Sequence, residues 1–189
     1  MELKIETIFL DRDGVINKES KNYIKNWREF DFIPNSIEAI KKLTQNNLDI
    51  FVITNQSGIG RKYFFESELL NIHKNMTEIL SKNNGKIKDI FYCPHIDEDN
   101  CTCRKPKPGM IYKARELYNL DISKSCMIGD SLRDIESAKA ARCGLCILVK
   151  TGNGENTEKA LIEKNICIDY IALNLFDAVN WLLSRLNKI

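Results

Sequence analysis

Short apolar runs alternate with amphipathic stretches along this chain, and that alternation leaves few folds open. Runs at 5–10, 48–53, 89–92, 125–128 and 145–149 are bounded by turn residues and read as buried strands, with a further short one at 166–171. Between them apolar residues recur at helical spacing. Ile37, Ile40 and Leu43 form one such face, and Phe65, Leu69, Ile72, Met76 and Ile79 a second; helices are also expected at 110–120, 132–141 and 175–186. Regular strand–helix alternation predicts an α/β fold in three layers, with a central, mostly parallel sheet. Right-handed crossovers then bring the ends of the first, second and fourth strands to one side. No repeat or Pro/Gly-rich linker divides the chain, so one domain over 1–189 is expected.

Polar clusters follow those strands. Asp11 and Asp13 lie in FLDRDGVIN, directly after the first apolar run. Thr54 and Asn55 close the second run, Arg104 and Lys105 precede Pro106, and Asp130 follows the fourth run. Ligands of open α/β sheets bind beyond the carboxyl ends of the strands, so these groups are placed to meet. Their chemistry suits phosphoryl transfer. Asp11, first on its loop, is the expected nucleophile, and Asp13 the expected general acid and base. Gly14 lets the backbone come close to a phosphate. Thr54 and Asn55 offer donors to the transferring oxygens, and Lys105 a positive charge. Mg²⁺ takes oxygen ligands and keeps several waters. The expected set is the carboxylates of Asp11 and Asp130 with the backbone carbonyl of Asp13. Asp134, one helical turn after Asp130, is read as orienting nearby groups. Arg61, with Arg28 and Lys62, is a candidate for a second anionic group on the substrate. His73 reads as a histidine at the edge of the core.

Seven cysteines at uneven spacing do not form a disulfide framework and favour a reducing, cytoplasmic setting. Cys126, Cys146 and Cys167 fall in apolar runs and read as small buried hydrophobes, and Cys143 sits at a helix end. Cys93, His95, Cys101 and Cys103 are different. They make a full tetrahedral set for Zn²⁺, with no position left open, around a polar loop that has no apolar anchor. A structural zinc loop holding Arg104 and Lys105 in place is expected.

FLDRDGVIN, VITNQSGIG, CRKPKPGM and MIGDSLRDI together resemble the haloacid dehalogenase superfamily of aspartate-nucleophile phosphatases over nearly the whole chain. Within it the chain is most similar to the D-glycero-D-manno-heptose 1,7-bisphosphate phosphatases, with the phosphatase domain of histidinol-phosphate phosphatases as the related alternative. The resemblance implies a Rossmann-like sheet with the nucleophile strand central and Mg²⁺ dependence. It also implies the roles given above to Asp11, Asp13, Thr54, Lys105 and Asp130, a zinc loop of this ligand order, and contact of Arg104 with substrate. A reading from another class is a zinc-stabilised binding module without catalysis.

About forty residues separate Asp13 from Thr54, and about fifty separate Thr54 from Lys105. Core elements use most of both intervals, so no separate cap domain is expected. A net charge of +2 gives no argument for nucleic acid or membrane, and no apolar stretch reaches the length of a membrane span. No secretory leader is read at the start of the sequence. The expected partner is a small phosphorylated sugar, and the expected state a monomer.

Overall fold

The computed structural model describes residues 4–186. Its elements run β1 (Thr7–Leu10), α1 (Ser36–Gln45), β2 (Asp49–Asn55), α2 (Glu66–Lys82), β3 (Asp89–Cys93), α3 (Gly109–Tyr118), β4 (Ser125–Gly129), α4 (Leu132–Ala141), β5 (Leu145–Val149), α5 (Gly154–Glu163), β6 (Tyr170–Ala172) and α6 (Leu175–Leu186). Among the described residues one sheet forms in the order β3-β2-β1-β4-β5-β6, and every pairing is parallel.

A parallel sheet must be covered on both faces, because its strands bury alternate side chains in opposite directions. Ile8 and Leu10 of β1 pack on one face with Ile50 and Val52 of β2, Cys126 and Ile128 of β4, and Ile147 of β5. Helices α1, α2 and α6 close that face through Ile40, Leu43, Ile72, Met76, Val179 and Leu182. Phe9, Phe51, Ile53, Met127 and Leu148 point the other way, against Ile111 of α3, Ile135 of α4 and Leu161 of α5. Each fully buried aliphatic or aromatic side chain of this kind contributes roughly 1.5–3 kcal/mol, so the two clusters hold the three layers together.

The strand order reverses direction at β1. From there the chain winds outward through β2 and β3, with α1 and α2 on one face. It then crosses to β4 and winds outward again with α4 and α5 on the other. The carboxyl ends of β1 and β4 therefore flank the switch point, where open α/β sheets bind their ligands. In register, Leu10 lies beside Val52 on one side and Ile128 on the other. Asp11 and Asp130 emerge together as a result.

Two elements differ from expectation. Helix α5 is unexpected from sequence; it buries only Gly154, Thr157 and Leu161, too sparse an apolar face to show a period. The sixth strand begins at Tyr170 instead of Ile166, because the left-handed Asn165 ends α5 and Ile166 turns back onto Leu161. Cys167 consequently lies in a connecting loop and is exposed, whereas Cys126 and Cys146 are buried as expected.

Candidate active site

Asp11 leaves β1 with its backbone N–H donating to the Ile128 carbonyl at 3.1 Å, which ties the first polar residue of one strand to the next strand. Asp11, Asp130 and Asp134 bring carboxylate oxygens within 4.8 Å of one another, and all are buried. One ammonium stands among them. Lys105 Nζ lies 2.9 Å from Asp11 Oδ1 and 2.5 Å from Asp134 Oδ1, and donates to the Ile53 carbonyl at 2.8 Å. The two carboxylate contacts are ionic, off the hydrogen-bond direction, so neither oxygen has an aligned donor.

Three carboxylates facing one ammonium leave an excess of negative charge in a largely buried site. Burial pushes the Asp11 carboxyl up to about 7 against the pull of Lys105, with Asp134 and Asp13 adding repulsion. Burial followed by the charges of Asp11 and Asp134 pushes Asp130 up to about 9. Burial would lower Lys105, but Asp11 and Asp134 outweigh it and raise the ammonium above its usual range. A hard divalent cation relieves this repulsion, and the oxygen donors suit Mg²⁺. Asp11 and Asp130 of the expected magnesium set fall together. Asp13 adds no carboxylate to the cluster, which leaves its backbone carbonyl as the ligand the sequence reading assigned.

Two glycines make room for Asp130. Gly14 has φ +84°, and a Cβ there would stand 2.2 Å from Asp130 Oδ2; at Gly152, φ +60°, the distance would be 2.1 Å. Gly14, expected to let the backbone come close to a phosphate, also gives its bare face to this carboxylate. Asp130 Oδ2 also accepts the Asn153 N–H at 2.8 Å, and the Asn153 amide donates to Glu19 at 2.8 and 2.9 Å. Asp134 serves two elements. Its Oδ2 accepts the backbone N–H and hydroxyl of Ser131, capping α4, while Oδ1 faces Lys105. Such a cap stabilises a helix by ~1 kcal/mol.

Asp13 turns its carboxylate away from this cluster. Both oxygens accept from Arg12 Nη2 at 2.9 Å; Oδ1 also accepts from Asn17 at 2.9 Å and Oδ2 from Gln56 at 2.8 Å. Burial would raise this carboxyl, but the Arg12 charge and the hydrogen bonds of Asn17, Arg12 and Gln56 outweigh it and hold it below the usual range.

Thr54 is buried at the cleft, and its hydroxyl accepts from Gln56 at 3.0 Å. Asn55 also lines the cleft, but its amide pairs with the backbone of Lys105, donating to the carbonyl and accepting from the N–H at 3.1 Å each. That leaves one amide hydrogen for the phosphate contact expected of it. Arg104 lines the cleft with Nε donating to Asp97 at 2.8 Å and Nη1 to the His95 carbonyl at 3.2 Å. Arg133 grips the same Asp97 through two hydrogen bonds of 3.1 Å. Glu19, Lys21 and Tyr23 also line the cleft, whose volume is about 330 Å³. Arg61 is not among its lining residues. The turn after β2 folds back through Arg61 N–H to the Ser57 carbonyl and Gly60 N–H to the Pro94 carbonyl, leaving the Arg61 side chain in solvent. Arg28 instead lines a separate groove with Trp27 and Glu68. Glu19 and Asn153 were not singled out for these places from sequence; the Thr-Gly-Asn-Gly run after the fifth strand was the available signal for Asn153.

Cys93, His95, Cys101 and Cys103 converge. Their sulfurs are 3.2–3.6 Å apart, and His95 Nδ1 lies 3.5 Å from Cys93 Sγ and 3.4 Å from Cys103 Sγ. A disulfide needs about 2.05 Å. The edge of a tetrahedron with Zn–S bonds of ~2.3 Å is about 3.8 Å, so the spacing and the donor set fit zinc.

The description haloacid dehalogenase-like hydrolase matches residues 5–142. The chain is 45% identical over 166 residues to the D-glycero-beta-D-manno-heptose-1,7-bisphosphate 7-phosphatase of Pseudomonas aeruginosa, covering 87% of this chain and 93% of that one. It is 40% identical over 172 residues to the D-glycero-alpha-D-manno-heptose-1,7-bisphosphate 7-phosphatase of Photorhabdus laumondii, covering 86% and 93%. The crystal structure of D,D-heptose 1,7-bisphosphate phosphatase from B. bronchiseptica, complexed with magnesium and phosphate, superposes with a TM-score of 0.87 at 36% identity, over 95% of this chain and 99% of that one. Family match, relatives and fold agree: the chain belongs to the haloacid dehalogenase-like hydrolases.

Proposed function

We propose that this chain is a Mg²⁺-dependent phosphoric monoester hydrolase that removes the 7-phosphate of a D-glycero-D-manno-heptose 1,7-bisphosphate. The observation that carries the reading is Asp11, a buried carboxylate at the switch point of the sheet with Lys105 beside it and Asp130 opposite. Relatives that cover most of the chain, named for both anomers of this substrate, support the sugar. The paired guanidinium groups of Arg104 and Arg133 at Asp97 support a substrate with a second phosphate. Nothing in the comparisons favours histidinol phosphate.

Asp11 attacks phosphorus in line, forming an aspartyl-phosphate as the bond from phosphorus to the sugar oxygen breaks. The incoming phosphate dianion raises Asp13 out of the low range it holds in the free protein, so that it takes up a proton, and Asp13 gives that proton to the sugar oxygen, releasing the alcohol. Asp13 then takes a proton from water as the water oxygen attacks phosphorus, which frees phosphate and restores the Asp11 carboxylate. Lys105 and Thr54 face the phosphoryl oxygens. Asp11, Asp130 and the Asp13 carbonyl would hold magnesium, which would supply charge neutralisation at those oxygens. Cys93, His95, Cys101 and Cys103 would hold zinc with all four positions taken by protein, so it would serve to fix the loop that carries Arg104 and Lys105. The free thiols fit a reducing cytoplasm. No helix among the described residues is long and apolar enough to cross a membrane, and we read the chain as a single-domain monomer.

The test is phosphate release from both anomers of the heptose bisphosphate, from monophosphates and from histidinol phosphate. The bisphosphate should be turned over fastest. Asp11→Asn should lose more than ~10³-fold in kcat while staying folded. Faster turnover of histidinol phosphate would replace the sugar reading, and unchanged turnover in the Asn variant would remove the nucleophile.

A further inference from the structure

Among the described residues Arg12 is the largest side chain with no solvent exposure. A buried guanidinium is costly unless its charge and hydrogens are all matched. Its charge is matched by Asp13, through Nη2 to both oxygens and Nε to Oδ1 at 3.3 Å. Nη1 lies 3.2 Å from His73 Nε2, on the buried face of α2. An arginine can only donate, so His73 receives this hydrogen on a bare Nε2 and is neutral. Burial, and then the Arg12 charge, push the imidazole down to about 3, against a smaller pull from Asp13, which agrees with that assignment. The ring of Tyr92 packs beside it at 5.9 Å, and the Tyr92 hydroxyl donates to Glu66 at 2.7 Å.

The two Asp13 oxygens are not held alike. Oδ1 receives three donor contacts, from Arg12 Nε, Arg12 Nη2 and Asn17. Oδ2 receives Arg12 Nη2 and the neutral amide of Gln56, which is shared with Thr54 at the cleft. Gln56 is the donor a leaving oxygen can displace without moving a buried charge. We propose that Arg12, held by His73, is the positioning residue that anchors Asp13 through Oδ1 and leaves Oδ2 as the oxygen that exchanges a proton with the leaving group and then with water. His73 thus acts on the reaction from α2 without touching substrate. The inference rests on the phosphatase reading above and does not depend on which sugar is the substrate.

The test compares leaving groups. A sugar alkoxide needs a proton to depart, and general acid catalysis of that step is worth about 10²–10⁴-fold; a nitrophenolate departs without one. Arg12→Lys is the direct variant, but its side chain is in the core, so His73 carries the measurement. In His73→Leu, Arg12 Nη1 loses its acceptor; in His73→Gln an acceptor remains. Single-turnover release of alcohol from the sugar phosphate is compared with the nitrophenolate burst from p-nitrophenyl phosphate, with melting temperature and zinc content followed alongside. His73→Leu should slow alcohol release at least ~10-fold more than the nitrophenolate burst, and His73→Gln should recover most of the difference. Equal losses on both substrates, unchanged alcohol release in His73→Leu, or no recovery in His73→Gln would overturn the proposal, and an unfolded His73→Leu leaves the decision to the ratio in His73→Gln, which must then stay within ~3-fold of wild type. Failure of the heptose reading shows instead in the wild-type substrate panel, since any alkyl phosphate the protein hydrolyses can serve here. A wild-type protein that hydrolyses neither ester overturns both.

Discussion

Asn55 lines the cleft, yet most of its hydrogen-bonding capacity goes to the scaffold. Its amide reads the backbone of Lys105 as a strand would, donor to carbonyl and carbonyl to N–H, and so sets where the Lys105 chain enters the carboxylate cluster. Asn55→Ala should lower the unfolding free energy by about 1–3 kcal/mol, the cost of leaving buried backbone groups unpaired, as read by urea denaturation. Loss of turnover should accompany it, because Lys105 Nζ is placed through that backbone. An Ala variant with wild-type stability would mean that water replaces the amide without cost. Residues of this kind explain what sequence reading reaches and what it does not. Asp11, Thr54, Lys105 and Asp130 stand at strand ends or before a proline, where local pattern alone places them. Arg12 reads as a spacer between two aspartates until His73 arrives from sixty-one residues away. Gly14 reads as a phosphate neighbour until Asp130 fills the space its Cβ would need. Both roles come from long-range packing, which a single sequence does not display.

Elements that bury themselves on two faces were legible, and elements that bury little were not. Strand β5 and helices α4 and α6 have the expected bounds, because unbroken apolar runs or a full helical stripe mark both ends. Helix α5 shows three buried positions and was missed, and β6 slid by four residues because a left-handed Asn165 redirects the chain. The convergence of Cys93, His95, Cys101 and Cys103 was legible for the opposite reason: three cysteines and a histidine in two close pairs around a polar turn have little other use. Its element-level consequence is testable. Only a short turn at Asp97–Asp99 gives the loop regular structure, and none of that turn is buried. Cys101→Ser should lower zinc content and open the segment from 94 to 107 to limited proteolysis. Turnover should fall with it, because Arg104 bonds to the His95 carbonyl and Asp97 within the same loop. Full zinc occupancy together with wild-type protease resistance would show that the loop stands without the fourth ligand.

At the scale of the whole molecule, the carboxylate cluster links stability to pH and to magnesium. Asp11 is pushed up to about 7 and Asp130 to about 9 in the folded chain, whereas carboxyls of an unfolded chain titrate near 4. Without magnesium the folded state therefore keeps protons that the unfolded state has released, and stability falls as pH rises through this range. His73 works the other way. Its depressed value, about 3, means that the unfolded chain takes up a proton below about 6.5 that the folded chain refuses. Asp13, held low, contributes stability above about 4 that is lost only in stronger acid. Lys105, held high, keeps its contribution up to about pH 10.4. Between pH 7 and 9 the folded chain therefore gives up the proton on Asp130 together with what remains on Asp11, while buried Cys143 and Cys146 keep protons that unfolded thiols begin to release, so all of these lower stability in the same direction. One retained proton changes stability by up to about 1.4 kcal/mol per pH unit. Protein dialysed free of magnesium, with its zinc retained, should melt at progressively lower temperature from pH 7 to 9. Magnesium bound as proposed would replace the proton on Asp130, so the rise in melting temperature on adding it should grow across the same interval. A magnesium-induced rise that is flat with pH would mean that Asp130 is already ionised in the folded, metal-free protein, and that a charge other than a proton balances the cluster.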